Sequence, residues 1–513
     1  MELSLKNLSN KEFWNEKNYS LPNFNISEVK EKTHKEPIWI HFGAGNIFRI
    51  FPAAMQQQLL NSGESDKGII VCESFDEELI QKVYEPFDNL TIAVSLKCDG
   101  NMDKEVIASI TDSMKISDSK NELERIFACE SLQMVSFTIT EKGYADRTPN
   151  GLMALLTQLC YKRYKSGQFP IALVSMDNCS NNGDKLRDAV LSFAEEWEKE
   201  NQVESDFIKY LQNAEKVAFP LSMIDKITPR PSEEIKTILE KDGISNVELI
   251  KTNKNTFASC FVNAEETGYL VIEDTFPNGR PKLEKAGLLF VDKETVHRVE
   301  QMKVCTCLNP LHTVLAVFGC LLSYESISEE MQNKFLKNFI QKMAYEEGLP
   351  VVVDPEIIDP KFFVNEVIEK RLPNPFVPDT PQRIACDTSQ KIPVRFGETL
   401  KAYLAKGDDI TKLTYIPLFF ASWLRYLMAT DDNGNNFELS PDPMLSTLLP
   451  HIENISYENF DDCKKYLKPI LSNADIFGVD LYEHNLADKV EGYLKEFLQG
   501  NGAITATLQK YIG

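Results

Sequence analysis

Apolar positions along the chain fall into two regimes. Up to about residue 290, short apolar or β-branched runs recur, each followed by small or polar residues and then a stretch with helical spacing. Ile38-Trp39-Ile40-His41-Phe42 runs into Gly43-Ala44-Gly45, and a helical pattern continues through Leu60. Gly68-Ile69-Ile70-Val71-Cys72 ends in Glu73, and Met134 to Thr140 and Ile171 to Met176 are two more such runs. Short apolar runs bounded by turn formers read as strands buried on both faces. Their alternation with helical stretches predicts an α/β domain built on a doubly wound, mostly parallel sheet. Beyond residue 290 strand-like runs become rare. Long amphipathic patterns take over at Leu308 to Tyr324, Glu329 to Glu347, Leu400 to Leu404, Ile416 to Met428 and Leu481 to Leu498, which predicts a mainly α-helical half.

These textures divide the chain into a domain over residues 1–295 and a second over 296–513, with the join between Phe290 and Glu300. A length of 513 residues also exceeds what one ordinary core holds. No internal repeat or low-complexity tether interrupts the pattern. The first 35 or so residues are polar and mixed, and read as a short helix and strand on the surface of the first domain or as a partly mobile lead.

Charge narrows the function. The formal net charge of −22 would repel a phosphate backbone, so nucleic-acid binding is disfavoured, whereas an anionic small molecule can still enter a locally basic pocket. The start, Met-Glu-Leu-Ser-Leu-Lys-Asn, lacks the long apolar run of a secretory signal. The apolar stretch Tyr415 to Ala429 is short, carries Arg425 and reads as a buried helix. Eleven scattered cysteines, among them Cys72, Cys260 and Cys320 in apolar runs, fit a reducing cytoplasm better than a disulfide framework. Cys305-Thr306-Cys307 has no second Cys/His pair at zinc spacing, so no metal is expected.

The strand–glycine turn–helix at residues 38–60 has the form that aims backbone N–H groups at a pyrophosphate. Gly43 permits the tight turn and Gly45 the close approach, followed by Asn46, Ile47 and Phe48. Phe48 stands where a third glycine is usual, and Arg49 could add charge near phosphate. Glu73 at the end of the next strand can accept from ribose hydroxyls and would repel a 2′-phosphate, which favours NAD over NADP; Asp76 is the competing acid.

Several separated segments together resemble the polyol-specific long-chain dehydrogenases. Gly43-Ala-Gly-Asn-Ile-Phe-Arg49 is similar to that family's cofactor turn, and Thr138-Ile-Thr-Glu-Lys-Gly-Tyr144 to its strand-end motif. Ser175-Met-Asp-Asn178 with Asn182-Gly183, Phe219-Pro-Leu-Ser-Met-Ile-Asp-Lys-Ile-Thr-Pro229 and Val271-Ile-Glu-Asp-Thr-Phe276 with Gly279-Arg-Pro281 follow in the family's order. Leu308-Asn-Pro-Leu-His312 and Arg383-Ile-Ala-Cys-Asp-Thr-Ser-Gln-Lys391-Ile-Pro393 complete the set. The resemblance implies a Rossmann-like N-terminal domain, a mainly helical C-terminal domain and metal-independent hydride transfer with NAD.

Such a reaction needs a base for the alcohol proton and fixed donors for the alkoxide oxygen. The resemblance assigns the base to Lys303, oxyanion donation to Asn309 and Asn178, and a substrate hydroxyl to His312. Asn309 and His312, three residues apart, share a helix face. Lys303 lies six residues before Asn309, whereas the family's lysine lies five before its asparagine, with Val304 in the intervening place. On a regular helix that displaces the side chain by about 100°, which a π bulge or a loop start would restore. Otherwise Lys303 is a surface lysine at the domain join, and Lys142, Lys226 or Lys391 is the base. Asp225, Arg383 and Lys391 match substrate-contacting positions of the family, and Thr140, Glu141 and Lys142 lie at a strand end where α/β enzymes gather ligands. Glu273 and Asp274 read as interface residues, His34, His297, His451 and His484 as structural or surface residues, and His41 as packing.

The expected activity is NAD-dependent reduction of an open-chain ketouronate, of the fructuronate/mannonate type. The cations Lys142, Lys303, Arg383 and Lys391 favour a carboxylate on the substrate. The alternatives are mannitol/fructose interconversion, a sugar phosphate, an NAD-retaining epimerase or isomerase, and a non-catalytic NAD-binding regulator. The expected assembly is a monomer or small homo-oligomer.

Overall fold

The computed structural model describes residues 1–458 and 460–513. The chain forms two compact units, Met1–Lys97 with Asn101–Val296, and Cys98–Gly100 with His297–Gly513.

The first unit is organised by six parallel strands: β1 (Trp39–Phe42), β2 (Ile69–Glu73), β3 (Ile110–Lys115), β4 (Met134–Phe137), β5 (Ile171–Ser175) and β6 (Val217–Ala218). Their order across the sheet is β3-β2-β1-β4-β5-β6. This is the Rossmann order, whose direction reverses between β1 and β4 and opens a crevice at the carboxyl ends of those strands. Every residue of β1, β2, β4 and β5 is buried, because helices cover both faces. Alternate side chains feed two cores. Trp39, Val71, Met134 and Val174 pack on one face, and Ile40, Phe42, Ile70, Val135, Phe137 and Leu173 on the other.

The fully buried Arg163 ties together the segments that lead into β4 and β5. Its guanidinium donates to the carbonyls of Phe127, Cys129, Leu132, Phe169 and Pro170, at 2.7–3.0 Å. All five donors are thereby used, which is how a lone cation is tolerated in a core.

The first unit holds more β structure than its apolar runs suggested. A four-stranded sheet joins Tyr19–Ser20, Met102–Ile107, Thr91–Leu96 and Phe261–Glu265, and a three-stranded sheet joins Ser222–Asp225, Tyr269–Glu273 and Leu289–Val291. The leading residues are ordered as the helices Lys11–Glu16 and Ile26–Lys35 about the strand Tyr19–Ser20.

The second unit is helical, around the almost wholly buried helix Asn309–Leu321. An apolar stretch of the longer run Lys293–Leu321 is 83% buried, as expected of a core helix. Two expected helices are shorter than their patterns. Asn333 caps Lys334–Lys342 and interrupts the stretch from Glu329. Asp480 accepts from the amides of Tyr482 and Glu483, so the last amphipathic pattern becomes helical only at Ala487. Among the described residues this unit carries four wide π turns: Lys303–Cys307, Met343–Gly348, Val367–Arg371 and Pro393–Gly397. Such turns gather at functional sites, and three of these carry a cation discussed below.

Candidate active site

In the first unit the turn after β1 is shaped for close approach. Gly43 has φ +110°, and a Cβ there would sit 2.3 Å from the carbonyl oxygen of Thr138. Only glycine fits, because both the conformation and the gap exclude a side chain. Gly45 is open on its Cβ side, and no side chain caps the helix Asn46–Ile50 that follows. The amides of Asn46, Ile47 and Phe48 open that helix, the position from which backbone N–H groups bind anions.

Glu73 ties this turn to the end of β2. One carboxylate oxygen accepts from the amide of Ala44 at 2.6 Å, and the other from the amides of Ser74, Phe75 and Asp76. A carboxylate has about four lone-pair sites, so the oxygen facing Ala44 keeps room for a hydroxyl. Asp76, the competing acid, is buried and accepts from Thr252. The turn and the acid thus fit a dinucleotide carrying a free ribose diol.

One expectation for the turn is corrected. Arg49 does not reach toward a phosphate. It is buried, with its guanidinium donating to Thr91 Oγ1 at 3.0 Å and to the Ser259 carbonyl at 2.9 Å. The Phe48 side chain is likewise core, stacked on His41 with ring centroids 3.9 Å apart. His41 is a packing residue, held between Ser136 and Thr138, and burial pushes its pKa down to about 3.

At the ends of β4 and β5, Asp177 is the organising residue. Its carboxylate accepts from the amides of Ile139 and Thr140, both at 2.9 Å, and from the Tyr144 hydroxyl. These bonds end β4 at Phe137 instead of Thr140 and hold Thr140 at φ +66°, a conformation that a β-branched residue adopts only when its surroundings impose it. Asn178, next in the chain, is exposed, and its side chain has no partner among the described residues. Lys142 is exposed, and Glu141 pairs with Lys185 at the surface. Asp225 is buried on the strand Ser222–Asp225. Lys226 donates to the carbonyls of Glu265 and Thr267, which occupies the ammonium otherwise considered as a base. Glu273 accepts from the Leu221 amide and Asp274 pairs with Arg280, so both serve structural roles within this unit.

The second unit gathers cations about His312. Lys303 is 5% exposed and opens the π turn Lys303–Cys307, closed by the Leu308 amide on the Lys303 carbonyl at 3.1 Å. Helix Asn309–Leu321 follows directly. The Asn309 side chain has no hydrogen-bond partner among the described residues, while its carbonyl accepts from Arg395 at 3.3 Å. Arg395 also holds Thr313 Oγ1. His312 Nε2 lies 3.3 Å from Asp379 Oδ2 but is not aligned for a hydrogen bond. Asp379 instead accepts from Arg383, whose side chain is largely exposed. Lys391 donates to the Ile384 carbonyl at 2.9 Å.

Burial, followed by the positive field of Arg395, Arg383, Arg371 and Lys391, pushes His312 down to about 3. Its imidazole is therefore neutral at physiological pH and can both donate and accept. Burial also pushes Arg395 down to about 10 and lowers Lys391. Arg383 and Lys391 were expected here; Arg371 and Arg395 were not. Both come from π turns, Val367–Arg371 and Pro393–Gly397; Arg371 closes the charged run Glu369-Lys370-Arg371 that reads as a solvated face, and Arg395 follows Val394 with no charge pattern about it.

Residues 37–285 match the mannitol dehydrogenase Rossmann domain and residues 295–498 the mannitol dehydrogenase C-terminal domain. The chain is 48% identical to the D-mannonate oxidoreductase of Thermotoga maritima, over all of this chain and 99% of that protein. It is 28% identical to the mannitol 2-dehydrogenase of Neosartorya fischeri, over 92% of each. Among solved structures, a D-sorbitol dehydrogenase in substrate-free form superposes with TM-score 0.79 at 23% identity, covering 96% of this chain and 97% of its own. Pseudomonas fluorescens mannitol 2-dehydrogenase, in a ternary complex with NAD and D-mannitol, superposes with TM-score 0.68 at 23% identity over 99% of each chain; both likenesses concern the fold. A Rossmann unit with a glycine cradle, a helical unit with a lysine–asparagine–histidine run, and matches along nearly the whole chain lead to one conclusion: this protein is an oxidoreductase belonging to the mannitol dehydrogenase family.

Proposed function

We propose that this protein is a reductase of an open-chain keto sugar acid, interconverting fructuronate and mannonate or a close stereoisomer, with NAD as its cofactor. The observation that carries the substrate class is the set of cations about His312: Arg371, Arg383, Lys391 and Arg395 within one unit of a chain whose net charge is −22. A neutral polyol gives no reason to concentrate positive charge there, whereas a carboxylate does, and planar guanidinium groups bind carboxylates in two-point fashion. The 48% identity to a D-mannonate oxidoreductase points the same way.

NAD, when bound, supplies hydride exchange with the substrate carbon. For it, the cradle of Gly43, Gly45 and the amides of Asn46, Ile47 and Phe48 would hold the pyrophosphate, Glu73 the adenosine ribose, and Thr140, Glu141 and Lys142 would lie toward the nicotinamide half. The remaining chemistry belongs to side chains. Lys303 gives its ammonium proton to the substrate carbonyl oxygen as that oxygen gains charge, and regains one from solvent; in the oxidative direction its amine takes the hydroxyl proton. Asn309 donates to that oxygen, stabilising negative charge without a metal. Neutral His312 orients a neighbouring hydroxyl. The eleven free cysteines support a reducing, cytoplasmic setting.

The test is to mix purified protein with NADH and, separately, fructuronate, tagaturonate, fructose and fructose 6-phosphate, following nicotinamide absorbance. Oxidation with a ketouronate and not with fructose is the expected result. Turnover of fructose alone would make the protein a mannitol 2-dehydrogenase. No turnover, with NAD retained through purification, would point to a hydride-returning isomerase.

A further inference from the structure

We propose that Thr399 and Gly348 are positioning residues: they hold the π turn Lys303–Cys307, and the turn sets Lys303 on the side of its helix that carries His312. Lys303 and His312 are nine residues apart. On an unbroken α-helix nine residues advance by about 900°, which points the two side chains in opposite directions. The five-residue ring closed by Leu308 N–H on the Lys303 carbonyl absorbs one residue, and the angle between them falls to about 80°. The relation follows from these hydrogen bonds alone; that Lys303 moves a proton rests on the proposed function.

A π turn is not self-sustaining, because its carbonyls lose their regular partners and its backbone widens. Two neighbours offset both costs. Thr399 Oγ1 donates to the Cys305 carbonyl in the middle of the turn, at 3.3 Å, from a buried position on the helix Glu398–Lys406. Gly348 leaves space for the displaced Thr306, since a Cβ at Gly348 would lie 2.9 Å from Thr306 Cγ2. Gly348 ends another π turn, Met343–Gly348, which packs directly on Lys303–Cys307, as does Pro393–Gly397. Cys305, Thr306, Gly348 and Thr399 line one shallow cleft beside the turn, so the bulge is walled by the two residues that hold it. The Thr399 hydroxyl and the missing Gly348 side chain therefore act on the chemistry through Lys303 without touching substrate.

The test compares Thr399→Val, Thr399→Ser and Gly348→Ala with a form lacking Val304, the surplus residue, alone and combined with Gly348→Ala. Thr399→Val and Gly348→Ala should lower kcat by about 10- to 100-fold, the scale of a small misplacement of a reacting group, with NADH binding unchanged. Thr399→Ser, which keeps the hydroxyl, should restore turnover. Deletion of Val304 should straighten the helix with Lys303 still in register, retain turnover and rescue Gly348→Ala. Wild-type turnover in Thr399→Val and Gly348→Ala, or a folded deletion form that has lost activity, would overturn the proposal. Amide hydrogen exchange over residues 303–308 reads the turn without any substrate: it should quicken in Thr399→Val and not in Thr399→Ser, and equal rates would overturn the proposal. A wild-type protein inactive on every ketouronate would sink the reductase reading, while the exchange comparison still decides the turn.

Discussion

The amide of Leu308 bonds the carbonyl of Lys303, five residues back, at 3.1 Å, in a helix whose next turn places Asn309 and His312 together. That single wide ring reconciles a lysine one residue out of step with the residues it is expected to serve. Lys303→Met should accordingly reduce kcat by about 10²–10⁴, the range of a positioned acid–base group, with little change in the dissociation constant of NADH. Single-turnover kinetics with NADH would read it. A kcat within threefold of wild type would move the proton-transfer role to Lys391, whose ammonium form is disfavoured by burial beside Arg395.

Substrate charge should be read by Arg371 and Arg383. Replacing either by glutamine should cost about 10²-fold in kcat/KM toward a ketouronate, equivalent to losing one charge-assisted contact, and distinctly less toward an uncharged ketose. Equal losses on both substrates would mean that these arginines shape the pocket rather than recognise a carboxylate.

Glu330 presents a different electrostatic situation. It is 0% exposed, both its carboxyl oxygens lack hydrogen-bond partners, and it packs against Gly319 and Pro381, so burial raises its pKa well above the usual range. The folded state therefore holds a proton that the unfolded chain releases near its ordinary pKa of 4.5. Its contribution is fully present below that pH and is lost as the pH rises. Glu330→Gln should stabilise the protein at pH 8 by about 1–3 kcal/mol and have little effect near pH 4. Urea unfolding at the two pH values measures this; the same difference at both would refute it.

Arg163 sits far from any chemistry and tests the scaffold alone. Arg163→Met removes a donor from five carbonyls, of which those of Cys129, Leu132 and Phe169 keep another, and should cost about 2–4 kcal/mol, lowering the thermal midpoint with kcat per folded molecule intact. Arg163→Lys should recover only part of it, because an ammonium offers three donors where the guanidinium offers five.

Much of the fold was legible because its signals are local. Strands buried on both faces are largely apolar, with one polar residue each in His41, Glu73, Ser136 and Ser175, so β1, β2, β4 and β5 stand out as runs, and a glycine that must adopt φ +110° beside the Thr138 carbonyl cannot be another residue. Half-exposed strands leave weaker traces. Met102–Ile107, with its charged outer face, is weakly marked for that reason, whereas Thr91–Leu96 is buried and its run is broken by Thr91, Ala93 and Ser95. Arg49 is the instructive error, since its place beside the glycine turn says nothing about which way the side chain goes. The second sheet supplies the Thr91 hydroxyl and the Ser259 carbonyl that draw it inward.

The amino-acid sequence by itself determined the doubly wound first half, the helical second half and the glycine turn, because each depends on residues adjacent in the chain or on helical spacing. Only the tertiary structure decided that Lys303 lies in a π turn, that Arg371 and Arg395 join Arg383 and Lys391 about His312, and that Asp177 holds Thr140. These outcomes depend on groups far apart in sequence. This helix widens by a residue where the distant Thr399 hydroxyl donates to its loosened Cys305 carbonyl and the distant Gly348 leaves room, and the His312 imidazole stays neutral because folding buries it and then gathers cations around it.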